Sequence, residues 1–128
     1  MDNKSFSLQL EQRTKSFALD VIRIAAGLPW SPEGKVLRGQ IVRSATSIGA
    51  NYREAERAVS KADFSHKISL CEKEAVETQY WLELLAEGDF APKEALEPCR
   101  KECSELVAIF TSISKKLKGV NKVRREKL

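Results

Sequence analysis

Two stretches of the chain carry the same rhythm of small and apolar residues, and that rhythm restricts the fold more than anything else in the sequence. Leu37, Ile41, Ser44, Ile48, Asn51, Ala55 and Ala58 alternate in steps of four and three. Phe64, Ile68, Cys71, Ala75, Thr78, Leu82 and Leu85 repeat the alternation after a junction at Ser60. Such spacing keeps one side of an α-helix apolar and makes a heptad seam. Two seams of this kind face each other, with two more helices closing the core. The flanking sequence supplies both. Leu10, Thr14, Phe17, Val21, Ile24 and Leu28 form one seam, and Cys99, Cys103, Leu106, Phe110, Ile113 and Leu117 the other. The expected fold class is all-α, a four-helix bundle.

Punctuation places the helix ends. Residues 2–10 are polar and are expected to be frayed. Pro29 stops helix one, because the residue before a proline is pushed out of the α region. Ser31 then Pro32 reads as a cap followed by a first helical residue, with Glu33 favourable at the positive end of the dipole. Trp30 is expected to staple onto helix two, with a ligand-contacting aromatic as the alternative. Helix two is expected over 32–58. Ser60 with Asp63 resembles a capping box for helix three, which ends near Glu87 before Gly88. Pro92 opens a short turn over 92–96. Pro98 then predicts a break, with the main fourth helix starting near Glu97. The bundle domain is expected over 1–118, and 119–128 as a basic flexible tail.

A chain of 128 residues suits one domain with one core. No apolar run approaches a membrane span and no leader-like segment opens the chain, so a cytoplasmic location without membrane contact is expected. Three cysteines, an odd count, argue against a secreted disulfide framework.

No constellation for catalysis stands out. The single histidine, His66, reads as a surface or interface residue, and the glycines form no phosphate-binding loop. Glu72, Glu74 and Glu77 lack the Glu-x-x-His partners of a carboxylate-bridged metal site and read as a solvated acidic face. Cys71, Cys99 and Cys103 fall on seams and read as small buried hydrophobes rather than thiolate ligands. The expectation is no enzyme, no metal and no cofactor.

The net charge of +4 is segregated. Residues 1–59 hold nine basic and six acidic side chains, 60–98 four and nine, and 99–128 nine and three, giving +3, −5 and +6. Lys35, Arg53 and Arg57 lie opposite the helix-two seam. Lys115, Lys116, Lys118, Lys122, Arg124 and Arg125 crowd the C-terminal end. Neither group carries interleaved aromatics or a known nucleic-acid motif, so the pattern points to phosphate contact with RNA or DNA without sequence readout. On helix three, Leu70, Trp81 and Leu84 mark a second apolar stripe. A helix apolar on two sides is buried on two sides. The stripe is expected to be a homo-oligomer interface, with an intramolecular contact as the alternative.

The run Arg43-Ser44-Ala45-Thr46-Ser47-Ile48-Gly49-Ala50-Asn51-Tyr52-Arg53-Glu54-Ala55, followed by Glu74, Glu77, Thr78, Trp81 and Leu82, resembles the bacterial four-helix-bundle proteins encoded in intervening sequences of 23S ribosomal RNA genes. The resemblance covers about Phe17 to Leu117. It departs at Ala55, where members often have glycine. It implies an antiparallel up-down bundle, a homopentamer and no catalytic activity, with nucleic acid as a suspected partner. Related to that family is the accessory variability determinant of diversity-generating retroelements, which partners a reverse transcriptase and its RNA. The matching Ser44, Ser47, Asn51 and Glu54, with Thr78, are expected to form a structural polar network at the seam between helices two and three. Two functions follow: a nucleic-acid-binding oligomer, or a protein-interaction scaffold such as an accessory subunit of a reverse transcriptase.

Overall fold

The computed structural model describes the backbone of residues 2–127 and the side-chain surroundings of 2–119. Four helices account for nearly all of it: α1 (Asn3–Ala26), α2 (Pro32–Glu56), α3 (Lys61–Glu87) and α4 (Lys93–Lys127). Each helix packs against two others, in the pairs α1–α2, α2–α3, α3–α4 and α1–α4. The arrangement is an all-α four-helix bundle.

The helix starts follow from side-chain capping. Asp2 accepts from the Ser5 N–H at 2.7 Å, so α1 begins at Asn3 and the expected fraying of 2–10 is replaced by helix. Ser31 accepts from the Gly34 N–H at 3.0 Å, with Pro32 in the first turn. Ser60 accepts from the Asp63 N–H at 3.0 Å, while the Asp63 carboxylate reaches back to the Val59 N–H at 3.2 Å. Each bond satisfies a donor that the first helical turn leaves without an intrahelical acceptor. At the end of α3 the left-handed residue is not Gly88 but Asp89, with φ 55°. Aspartate tolerates that region better than most residues.

One expectation about α4 is corrected. The helix starts at Lys93 and runs through Pro98 without the predicted break. Proline removes one backbone bond, here the one that residue 98 would give to the Glu94 carbonyl. Glu94, Glu97 and Pro98 are exposed, so water can take that carbonyl, and buried Leu96 and Cys99 hold both sides of the proline on the core. The helix continues past Lys118 to Lys127. Gly119 costs such a helix about 1 kcal/mol relative to alanine, and no proline follows to stop it.

The four seams meet inside. Phe17 and Val21 from α1, Ile41 and Ile48 from α2, Ile68, Leu82 and Leu85 from α3, and Leu106 and Phe110 from α4 are almost fully buried. Burying each large side chain contributes about 1.5–3 kcal/mol, which makes this layer the main source of stability. Tyr52 meets Phe110 edge-on across the core, ring centroids 5.9 Å apart. Helices α1 and α2 approach closely at Gly49, where a Cβ would lie 3.0 Å from the Thr14 hydroxyl oxygen. Trp30 is no staple. It is 87% exposed and lies with its ring 4.1 Å from the Arg38 guanidinium, a cation–π contact on the outside of the turn.

Candidate nucleic-acid interface

The basic residues singled out in the sequence divide between the two ends of the bundle. Lys35 lies in the first turn of α2 and Arg57 caps its last. Those positions are 22 residues apart on a helix, roughly 33 Å. Arg57 therefore shares an end with the start of α1, the start of α3 and the later turns of α4. The junction is concrete, because Lys4, Tyr52, Ala58, Lys61, Phe64 and Leu117 all line one cleft. Lys116 and Lys118 flank Leu117. Lys4, Arg57, Lys61, Lys115, Lys116 and Lys118 are exposed and pair with no carboxylate among the described residues. Lys35 is likewise exposed but stands at the opposite end, away from the group. Arg53 is partly neutralised by Glu11, 3.5 Å away on α1. The side chains of Lys122, Arg124 and Arg125 lie outside the described residues.

Lys4 and Lys61 are additions to the sequence-based set. Nothing in the linear order links residue 4 to residue 61. The only available signal is that both follow helix starts, which the cleft brings together.

The cleft itself measures about 810 Å³ and opens to solvent. Its floor is apolar, from Ala55, Phe64 and Leu117, and its wall carries the Tyr52 phenol, which donates to the Ser7 hydroxyl at 3.0 Å. Burial pushes the Tyr52 phenol above its ordinary pKa. Burial also raises the Glu56 carboxyl, with the nearby Glu11 charge adding to the effect. Both groups stay protonated to higher pH than they would in water.

The expected polar seam is only partly assembled. Thr78 donates to the Ser44 hydroxyl at 2.8 Å, a fully buried bond between α3 and α2. Ser47 and Asn51 instead bond their own helix, to the carbonyls of Arg43 at 2.6 Å and Ser47 at 2.9 Å. Glu54 is exposed and reaches α3 through Lys67 at 3.2 Å. A second α2–α3 link is one that sequence reasoning missed. Arg43 pairs with Glu74 at 3.1 Å and with Glu77, and Glu77 accepts from the Trp81 indole N–H at 3.1 Å. Glu72 accepts from the Thr111 hydroxyl at 2.8 Å, tying α3 to α4. The three glutamates are half-buried and each has a partner, so the solvated acidic face is corrected. The usable signal was the i, i+3 spacing of Glu74 and Glu77 beside the seam, opposite an arginine beside its own.

Leu70, Trp81 and Leu84 are half-buried, with Trp81 and Leu84 resting on the core. More open apolar side chains stand elsewhere: Val76 and Tyr80 on α3, and Leu8, Leu19 and Ile22 on α1. The three cysteines are buried free thiols. Desolvation pushes Cys71 and Cys103 up to about 12 and Cys99 to about 11. Among the described residues no group of three or more His, Cys, Asp or Glu side chains could hold a metal ion, and no helix is long and apolar enough to cross a membrane.

Comparison with known proteins agrees with this architecture. No curated protein matches the chain. A crystal structure of a protein of unknown function from Bacteroides thetaiotaomicron, assigned to the S23 ribosomal protein family, is 39% identical. The match covers 82% of this chain and 97% of that one, with a TM-score of 0.76. Residues 7–112 match the family described as 23S rRNA-intervening sequence protein. That span includes seam residues of all four helices, and the chain belongs to the 23S rRNA-intervening sequence protein family.

Proposed function

We propose that this protein is a non-enzymatic, oligomeric bundle that binds structured RNA or DNA through phosphate contacts at its basic end. The observation that carries the reading is the gathering of Lys4, Arg57, Lys61, Lys115, Lys116 and Lys118, all exposed, around one end of the molecule. Segregated unpaired cations release counterions from a phosphate backbone, and this drives binding without base readout. The ribosomal terms in the names of the family and of the Bacteroides relative's family favour RNA. In this reading the helices run antiparallel, up and down. The Tyr52–Ser7 and Glu54–Lys67 contacts support that sense, each joining late residues of α2 to early residues of a neighbouring helix, and so do Glu72–Thr111 and Gln79–Ser104, in which the α4 number falls as the α3 number rises. A cytoplasmic homopentamer would repeat the basic end and multiply weak contacts by avidity.

Binding to a structured RNA and to matched duplex DNA, each at low and near-physiological salt, tests the reading. Affinity that survives physiological salt, and falls with a shallower salt slope in the double variant Arg57→Glu/Lys116→Glu, is the expected result. Unchanged affinity and slope in that variant would remove this end as the surface. Assembly is tested separately by solution mass: Trp81→Asp should lower it while the helical signal persists.

A second reading, a protein scaffold such as an accessory subunit of a reverse transcriptase, is favoured by the exposed apolar side chains Val76, Tyr80, Leu19 and Ile22. Loss of all nucleic-acid affinity at physiological salt would move the assignment there.

A further inference from the structure

The cleft at the basic end combines three properties that phosphate contact alone does not require. It is about 810 Å³, inside the roughly 300–1,000 Å³ range of small-molecule pockets. It has an apolar floor with an aromatic ring, Phe64, and a large apolar side chain at its rim, Val59, left 92% exposed. Two cations, Lys4 and Lys61, line it from different helices. An occupant with a flat apolar face and an anionic edge matches all three, and an unpaired nucleotide is such an occupant.

We propose that this cleft receives one unpaired base of a bound RNA strand, while Lys4 and Lys61 hold the phosphates on either side of it. The proposal rests on the nucleic-acid reading above and narrows it to strands with a bulged or looped-out nucleotide. Aromatic side chains hold bases by stacking, which tolerates any sequence because every base has a π-face. Phe64 supplies that ring, and Leu117 and Ala55 supply apolar surface beside it. Polar groups on the wall can meet a base edge. Ser65 lines the cleft and offers a hydroxyl that both donates and accepts. Glu56 adds an acceptor suited to the exocyclic amine of adenine or cytosine. Lys4 and Lys61 line the same cleft, so they can meet the phosphates of an inserted nucleotide. Fully paired RNA presents no free base and would touch the cations only.

The test uses a short RNA hairpin with one bulged 2-aminopurine and the same hairpin with the bulge removed by pairing. The full-length protein is expected to bind the bulged hairpin about tenfold tighter, within what stacking of a single base yields, and to change the 2-aminopurine fluorescence on binding. Phe64→Leu, which keeps the apolar volume, should erase that preference while leaving the paired hairpin unaffected. Should this variant not fold, Val59→Asp at the exposed rim should have the same effect. Equal affinity for the two hairpins with unchanged fluorescence would overturn the base cleft and leave phosphate binding standing. Failure to bind either hairpin at physiological salt would overturn both. Full competition by free AMP at matched concentration would show a mononucleotide site and overturn the strand proposal.

Discussion

The two ends of the bundle differ in how many times the chain crosses them. In the up-and-down reading proposed above, one end carries two connections, 27–31 and 88–92, while the other carries only the turn from Arg57 to Ser60. The doubly crossed end is sealed. Leu28 and Leu96, both near the connections, are buried, and Leu37 and Leu85 meet them from α2 and α3. Arg38 donates to the Leu28 carbonyl at 3.4 Å beneath the Trp30 ring. The singly crossed end has no second connection to lay across it. It opens into the cleft, and there the unpaired cations collect. Closure of a bundle end is thus a property of its loops, whereas the seams run equally well to both ends.

That contrast can be broken by experiment. The largest effect is expected from the midsection that both ends share. Burial keeps the three folded thiols protonated up to about 11 or 12, whereas unfolded thiols titrate near 9. Between those values the unfolded chain binds fewer protons than the folded one, so stability falls as pH rises. The loss is up to about 1.4 kcal/mol per thiol per pH unit. Urea midpoints at several pH values check this, and Cys71→Ala/Cys103→Ala should flatten the dependence. At the sealed end, Leu28→Ala should cost about 3 kcal/mol in the same assay, as buried leucines do. Val59→Ala at the open end should stay within about 0.5 kcal/mol. Gly34→Ala should cost about 2 kcal/mol, because a Cβ there collides with the Pro29 carbonyl and the sealed turn must shift. Tyr52→Phe, losing only the bond to Ser7 at the open end, should cost about 1 kcal/mol. A larger loss from Tyr52→Phe than from Leu28→Ala would invert the comparison.

The seams were legible because heptad spacing is a local property, and every seam position from Leu10 to Phe110 that the rhythm marks as large and apolar is buried or half-buried. The capping serines and Asp63 were legible for the same reason. Pro98 misled because its cost is local while the anchoring by Leu96 and Cys99 is tertiary. Trp30 misled because a large aromatic beside a cap has two neighbours to choose between, and here the guanidinium of Arg38 took it. The basic residues were visible one by one, but not that Lys35 would be separated from Arg57, or that Lys4 and Lys61 would join it. The cleft could not be read at all, since three stretches far apart in the chain, 4–7, 52–65 and Leu117, supply its walls. The Arg43–Glu74–Glu77–Trp81 chain stood between the two cases: its spacing was present, yet an acidic run reads as a wet surface until an arginine is placed against it.

The buried thiols also make the molecule its own clock. Only a thiolate is alkylated, and only one that solvent can reach. Cys71 reports on α3, and Cys99 and Cys103 report on α4. In the native state, each labelling event therefore records an opening of one helix against its neighbours. The ratio of labelling on Cys71 to that on Cys99 would show which helix leaves first, with no probe added to the chain.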